Sequence, residues 1–157
     1  MSYFVNNRQV INRLAINTNT AQSPVYVDLC CASERTINLD LQTQDFSVFC
    51  DALMRHVTTG ADVQIATTLK LDAENSGVLQ VLGNIHTLIA DGSIAQFTNV
   101  MIEFGLLSGY STSTLTYTTY KANANVTIES LGGNAEDVGE IAITFALNGK
   151  AQVNASI

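Results

Sequence analysis

The segment EIAITFALN, residues 140–148, decides the fold because apolar side chains occupy every second position from Ile141 onward. A period of two is typical of a β-strand that buries one face. The segment NVTIESL, residues 125–131, precedes it, and the small and acidic residues 132–139 between them are suited to a turn. The two segments therefore predict an antiparallel hairpin. Its last strand would direct four apolar side chains to the core, namely Ile141, Ile143, Phe145 and Leu147.

The same alternation recurs along the rest of the chain. Further strands are predicted at residues 34–41, 63–71, 85–90, 94–104 and 114–120. Two of them are joined by Asp91-Gly92, which is a strong hairpin signal. The remaining segments are predicted to be an extended N-terminal arm or loosely held first strand over 1–24, a flexible loop over 105–113 and a C-terminal tail over 151–157.

One segment, residues 45–58, has helical rather than alternating spacing. Its apolar residues recur at i, i+3, i+4, i+7, i+8 and i+11, which is the stripe of an amphipathic helix. They are Phe46, Phe49, Cys50, Leu53, Met54 and Val57. Asp45 or Thr43 could cap its start, and Gly60 stands where a helix commonly ends. The sequence predicts a single, mainly β domain over 1–157, an antiparallel β-sandwich or barrel with this one flanking helix.

The composition favours a protein that is covered by neighbouring subunits. Charged residues make up 13% of the 157 residues, about half of the usual 25%. Thr, Asn, Ser and Gln take their place, and these uncharged groups suit surfaces that become buried on assembly. The net charge is −7 and the seven basic residues form no cluster, which argues against tight nucleic-acid binding.

No arrangement of reactive residues points to an enzyme. The two histidines, His56 and His86, are far apart in sequence, and Cys30, Cys31 and Cys50 have no histidine at a spacing suited to metal binding. The acidic residues 136–140 are expected to lie in a solvated turn. No apolar run approaches the roughly 20 residues that span a bilayer. We therefore expect no catalytic site, no metal, no cofactor and no membrane partner.

Two segments resemble the major tail-tube proteins of long-tailed, siphovirus-type bacteriophages. In the first, a strand ending at Leu41 is followed by TQDFSVFCDALMRHVTTGADVQIATTLKLD, residues 43–72. There the predicted amphipathic helix, a Thr-Gly turn and a returning strand follow in that order. In the second, NVTIESLGGNAEDVGEIAITFALNGK, residues 125–150, an acidic turn of small residues precedes a strand that ends in Asn-Gly. Together the two segments cover a little under half of the chain, and neither is a rigid motif.

The resemblance implies a structural subunit that assembles with itself into stacked hexameric rings. The rings would form the hollow phage tail tube through which DNA is ejected without being bound specifically. It also implies a place in the virion tail, assembly in the cytoplasm of the host bacterium, and contacts with the tape-measure, terminator and distal tail proteins.

The resemblance also assigns two candidate surfaces. The polar face of the last hairpin would line the tube lumen, where polar or acidic groups and no basic groups are expected. It could equally be an ordinary solvent face. Its candidate residues are Asn125, Thr127, Glu129, Glu140, Thr144 and Asn148. Leu106, Leu107 and Tyr110 would contact other subunits or rings, unless they fold back on their own domain.

Two other functions are compatible with the sequence. One is a different ring or decoration protein, such as a head-decoration protein, a tail-terminator ring or a tube subunit of a secretion machine. The other is a carbohydrate-binding β-sandwich, which should display aromatic platforms. The chain has no Trp, and Tyr110, Tyr117 and Tyr120 form its one aromatic cluster.

Overall fold

The computed structural model describes residues 2–19, 23–46 and 55–153. Within them lie eight strands, one α-helix and two short 3-10 turns, Asn7–Gln9 and Ala95–Phe97. The strands and the helix, in chain order, are β1 (Ile11–Asn17), β2 (Tyr26–Asp28), β3 (Ala32–Phe46), β4 (Arg55–Lys70), α1 (Ser76–Asp91), β5 (Val100–Ser111), β6 (Thr114–Gly132), β7 (Glu140–Leu147) and β8 (Gln152–Val153).

All eight strands belong to one antiparallel sheet, in the order β2-β1-β5-β6-β7-β4-β3, with β8 paired to β6. The sheet gives the molecule the character of a β-sandwich or barrel. The predicted fold class, mainly β and antiparallel with a single helix, is confirmed.

The core forms where the apolar faces of the central strands meet. In β7, Ile141, Ile143 and Phe145 are fully buried, while Thr144 between them is only half-buried, as the alternation predicts. Burial of one face fixes the register, because a slip of one residue would turn every apolar side chain towards solvent. Neighbouring strands and the helix complete the core with Leu14, Ile16, Leu29, Ile65, Leu69, Val78, Val81, Ile102, Phe104, Ala122 and Ala124.

The helix lies outside the segment predicted for it. Asn75 caps its start, because its side-chain oxygen accepts hydrogen bonds from the backbone N–H groups of Gly77 and Val78. Gly92 ends it in the left-handed conformation with φ 69°, which a residue without a Cβ adopts readily. The predictions of a strand over 85–90 and a hairpin at Asp91-Gly92 were therefore wrong, since this Gly is a helix C-cap.

The predicted helix over 45–58 was wrong wherever the structure describes it. Asp45 and Phe46 end β3, and Val57 lies in β4 opposite Gln44. Gly60 is an internal residue of β4 and not a helix end. The other four residues assigned to the helix stripe lie outside the described residues, namely Phe49, Cys50, Leu53 and Met54.

Three further boundaries differ from those predicted. The segment 105–113 is not a loop, because β5 runs to Ser111 and only Thr112 and Ser113 turn the chain, both with positive φ as in a tight hairpin. Within 1–24, Ile11–Asn17 form β1, a largely buried strand between β2 and β5. The strand predicted from residue 94 begins at Val100.

Candidate assembly interface

The six candidate lumen residues come together on one face of β6 and β7. Thr127 lies opposite Thr144, and the Thr144 hydroxyl donates a hydrogen bond to Glu129 Oε1 at 3.0 Å. A bulge between Ile128 and Ser130 leaves Glu129 without an opposite residue on β7. At the other end, Asn148 Nδ2 donates to Asn125 Oδ1 at 2.8 Å. These side chains form a polar strip of hydroxyl, amide and carboxylate groups.

Basic side chains on this polar face are paired with acids. Glu140 forms an ion pair with Lys70 of the adjacent strand β4. On the β5 side, Glu103 lies 2.8 Å from Arg13 Nε and 3.9 Å from Lys121 Nζ. The face therefore carries three cations, contrary to the expectation of a purely polar and acidic surface. Two carboxylates lie beside them, because Arg13 and Lys121 share Glu103.

Tyr26 lies beside this charged group, with Lys121 Nζ 5.4 Å from the centre of its ring. Burial raises the pKa of the Tyr26 hydroxyl, and the negative charge of Glu103 raises it further. The phenol therefore stays neutral at physiological pH and adds no negative charge to the polar face.

The three candidate contact residues lie near the end of β5. Leu106 and Leu107 are half-buried, with Leu106 paired to Ile11 of β1 and to Thr118 of β6. Tyr110 is exposed and stacks on Tyr3, with ring centres 4.8 Å apart. Their proposed contacts with another subunit remain a prediction.

The largest feature that the sequence analysis missed is a two-stranded ribbon, residues 38–45 of β3 and 56–62 of β4. Side chains on both of its faces are exposed, with the exception of the half-buried Asp62. Among the described strands, none pairs with the outer edge of β3, and β4 pairs with β7 only from Gln64 to Lys70. The ribbon therefore has two free edges and little packing of its own.

One face of the ribbon is apolar because it continues the core face of β3 and β4. Ile65 is fully buried, yet the same face carries Leu39 with 71% and Leu41 with 64% of its surface exposed. Ala61 and Val63 lie opposite these two leucines. The alternation in 34–41 and 63–71 did predict this apolar face; what the sequence did not show is that the domain stops covering it.

An apolar groove of about 380 Å³ opens between the end of α1 and the core face of β6. Ile94, at its rim, is 67% exposed. None of the residues that line the groove carries a charge. They are Leu88, Ile94, Phe97, Thr98, Asn125, Val126, Thr127 and Ile128.

Reactive side chains form no metal-binding cluster in the part of the chain that the structure describes. Across residues 2–19, 23–46 and 55–153, no three His, Cys, Asp or Glu side chains are close enough to hold a metal ion. His56 contacts Asp45 across the ribbon, and His86 is exposed on α1. Burial, together with the nearby Cys30 and Asp72, raises the pKa of the Cys31 thiol, which keeps it in the less reactive protonated form.

The described helix is not long and apolar enough to cross a bilayer.

Comparison with known proteins gives similarity of structure but not of sequence. No family model and no curated protein sequence matches the chain. A chain in the tail of an empty gene transfer agent particle, determined with C6 symmetry, aligns over 97% of this chain and all of its own length, with a TM-score of 0.61 and 9% identity.

Two further solved chains have a similar fold. A second gene transfer agent chain, from the native virion, covers 92% of this chain and 97% of its own length, with a TM-score of 0.52 and 12% identity. A chain of the sheath-tube complex of PVC, an extracellular contractile injection system, covers 91% of this chain and 88% of its own, with the same TM-score and identity. At these identities, the likeness concerns the fold.

Proposed function

We propose that this chain is a structural subunit that assembles with itself into stacked, hexameric rings and so forms the hollow tube of a phage-type tail. The observation that carries the proposal is the ribbon. An isolated two-stranded ribbon is at best marginally stable in water, and this one also exposes Leu39, Leu41 and two free strand edges. Neighbouring subunits that cover these groups would remove both liabilities.

The comparisons support this function through the fold. A similar chain is found in a tail particle with C6 symmetry, and another in a sheath-tube complex. The resemblance of residues 125–150 to siphovirus-type tail-tube proteins supports the same role. The resemblance of residues 43–72 depended on a helix that the structure does not show where it describes the segment, so it adds no support. The subunit would act in the virion tail after assembly in the host bacterial cytoplasm, with tape-measure, terminator and distal tail proteins as further partners. It would have no enzymatic activity, cofactor or membrane attachment.

Negative-stain electron microscopy of the purified protein over a range of concentrations tests the proposal. We expect hollow tubes of stacked rings that become longer and more numerous as the concentration rises. Single rings that do not stack would instead favour a terminator or decoration protein. Particles that stay monomeric when concentrated would contradict self-assembly.

We further propose that the polar face of β6 and β7 lines the tube lumen. Its hydroxyl and amide groups and its paired charges offer no excess of cations to which the phosphates of DNA could bind. DNA would then slide along the face without being held. Beyond the hairpin, Lys70 of β4 is paired with Glu140, and Arg13 of β1 is paired with Glu103, which also lies near Lys121.

Charge reversal on this face is expected to impair DNA passage. In particles assembled with Glu129→Lys/Glu140→Lys, the tubes should keep their length because both side chains are outside the core. DNA delivery should fall by about tenfold or more, since unpaired lysines release counterions when they bind phosphate. Tube length is measured by electron microscopy and delivery by infectivity.

The matched control is Glu136→Lys/Asp137→Lys, which makes the same change of charge in the exposed loop after β6. Delivery by the control particles should stay near the level of the unaltered protein. Equal delivery by both double variants would show that the β6–β7 face does not meet DNA.

A further inference from the structure

We propose that the apolar groove between α1 and β6 holds the ribbon of a second copy of this chain, with Leu39 and Leu41 seated against Ile94 and Phe97. This inference rests on the proposed function and names the contact by which subunits join. The groove of one subunit would receive the ribbon of the next, so two different surfaces of the same chain form the contact.

The groove has the chemistry of a receiving surface for an apolar insert. Val126 and Ile128 of β6, which pack against the core, line the groove together with Leu88 and Ile94. No charged side chain lines it, so an aliphatic insert would leave no charge buried and unpaired. At about 380 Å³ it has room for roughly a dozen water-sized groups, which accommodates two leucine side chains.

The ribbon carries an apolar surface that suits such a groove, and its own domain does not cover that surface. Leu39 and Leu41 point to the same side of the ribbon as Ala61 and Val63, which makes a short apolar strip without a charged residue. The strip is exposed and therefore does not occupy the groove of its own subunit. Beyond the last pair between β4 and β7, Gln64 with Ala146, the ribbon no longer pairs with the rest of the sheet, which leaves it accessible to a neighbour.

A contact between two different surfaces of the same chain is heterologous, and it repeats. Each subunit offers a ribbon and a groove, so every subunit can hold one neighbour while another holds it. Such contacts close into rings or continue as open helical arrays. This is the assembly geometry that a tube subunit requires, and it needs no other protein to begin.

Two single substitutions and their combination test the pairing. Leu41→Lys places a charge on the ribbon and Ile94→Asp places one at the groove. Both side chains are mostly exposed in the free subunit, so circular dichroism should show that the variants fold. Each single variant should raise the protein concentration needed for assembly by about tenfold or more, because an unpaired charge is buried on association.

The double variant Leu41→Lys/Ile94→Asp should recover assembly at least in part, because the two new charges meet across the interface. The control combines Leu41→Lys with Leu79→Asp, since Leu79 is exposed on α1 but does not line the groove. The control pair should not recover. Light scattering and electron microscopy give the assembly concentration for each variant.

The outcomes separate this inference from the proposed function. If the unaltered chain forms tubes and the two single variants assemble equally well, the groove is not the contact, although the tube function stands. If the singles fail and the double variant fails as badly, the ribbon does not enter this groove. An unaltered chain that never associates would overturn both proposals.

Discussion

Replacement of Phe145 by alanine is expected to reduce the free energy of unfolding by about 3–5 kcal/mol. Phe145 is fully buried at the centre of β7, with Ile65 of β4 on one side and Val126 of β6 on the other. Its removal leaves a cavity in the core, on the strand that lies between β4 and β6. Strands on both sides limit the collapse that could fill it.

The loss is measured by urea denaturation with the protein kept monomeric, so that subunit association does not add to stability. Phe4→Ala is the matched control, because Phe4 is 88% exposed and undergoes the same chemical change. Its effect should stay within about 0.5 kcal/mol. Equal stability losses for the two variants would contradict the position of Phe145 in the core.

Replacement of Asn75 by alanine should cost about 2–3 kcal/mol, because one side chain holds two parts of the fold. Its Oδ1 accepts hydrogen bonds from the first turn of α1, at 2.9 Å from Gly77 N and 3.1 Å from Val78 N. Its Nδ2 donates to the backbone oxygen of Asp28 at 3.0 Å. Alanine leaves all of these largely buried groups without their partner.

Asn75→Ser separates the two contributions. Serine retains an oxygen that can cap the helix but lacks a donor for the carbonyl of Asp28. In the same denaturation experiment its loss should be about half of that for Asn75→Ala. A serine variant as unstable as the alanine variant would mean that the cap contributes little, and an alanine variant as stable as the original would mean that neither contact matters.

The strands could be predicted wherever one face of the sheet is buried by the chain itself. Ile141, Ile143 and Phe145 alternate with less buried residues because the core lies on one side and the polar face on the other. The closing hairpin was therefore predicted correctly in type, and β7 closely in extent. Its first strand was not, because β6 is one strand over Thr114–Gly132 where two segments, 114–120 and 125–131, were predicted. The same reasoning located the inner parts of β3 and β4, which contact the core around Ile65.

The helix was misplaced because two local signals competed. The residues 85–90 are rich in aliphatic side chains, and Asp91-Gly92 is a hairpin dipeptide, yet Gly92 only ends a helix that begins after Asn75. The apolar spacing from Val78 through Val81, Leu82 and Ile85 is helical and could have revealed it. Most of the competing helix signal over 45–58 lies outside the described residues. At residues 45 and 56–58 it falls in the ribbon, where no buried face imposes the strand period.

The sequence predicted which residues form the polar strip of the candidate lumen, but it did not predict the ion pairs beside it. Alternation alone places Thr127 and Thr144 on one side. The ion pair between Glu140 and Lys70 joins residues far apart in sequence and depends on the pairing of β7 with β4. The groove could not be predicted either, because it is formed by the ends of elements and not by a motif.

Because the ribbon is exposed, its side chains contribute little to the folding of their own domain. A substitution at Leu39 or Leu41 removes little packing from its own domain, because these residues are 71% and 64% exposed. Under the proposed contact, natural selection would therefore act on them mainly through the neighbouring subunit. Lineages of such a chain could keep the same core and diverge in the ribbon, provided that each ribbon still fits its own copies. Two diverged versions produced in one cell would then sort into separate assemblies according to compatibility of the ribbon.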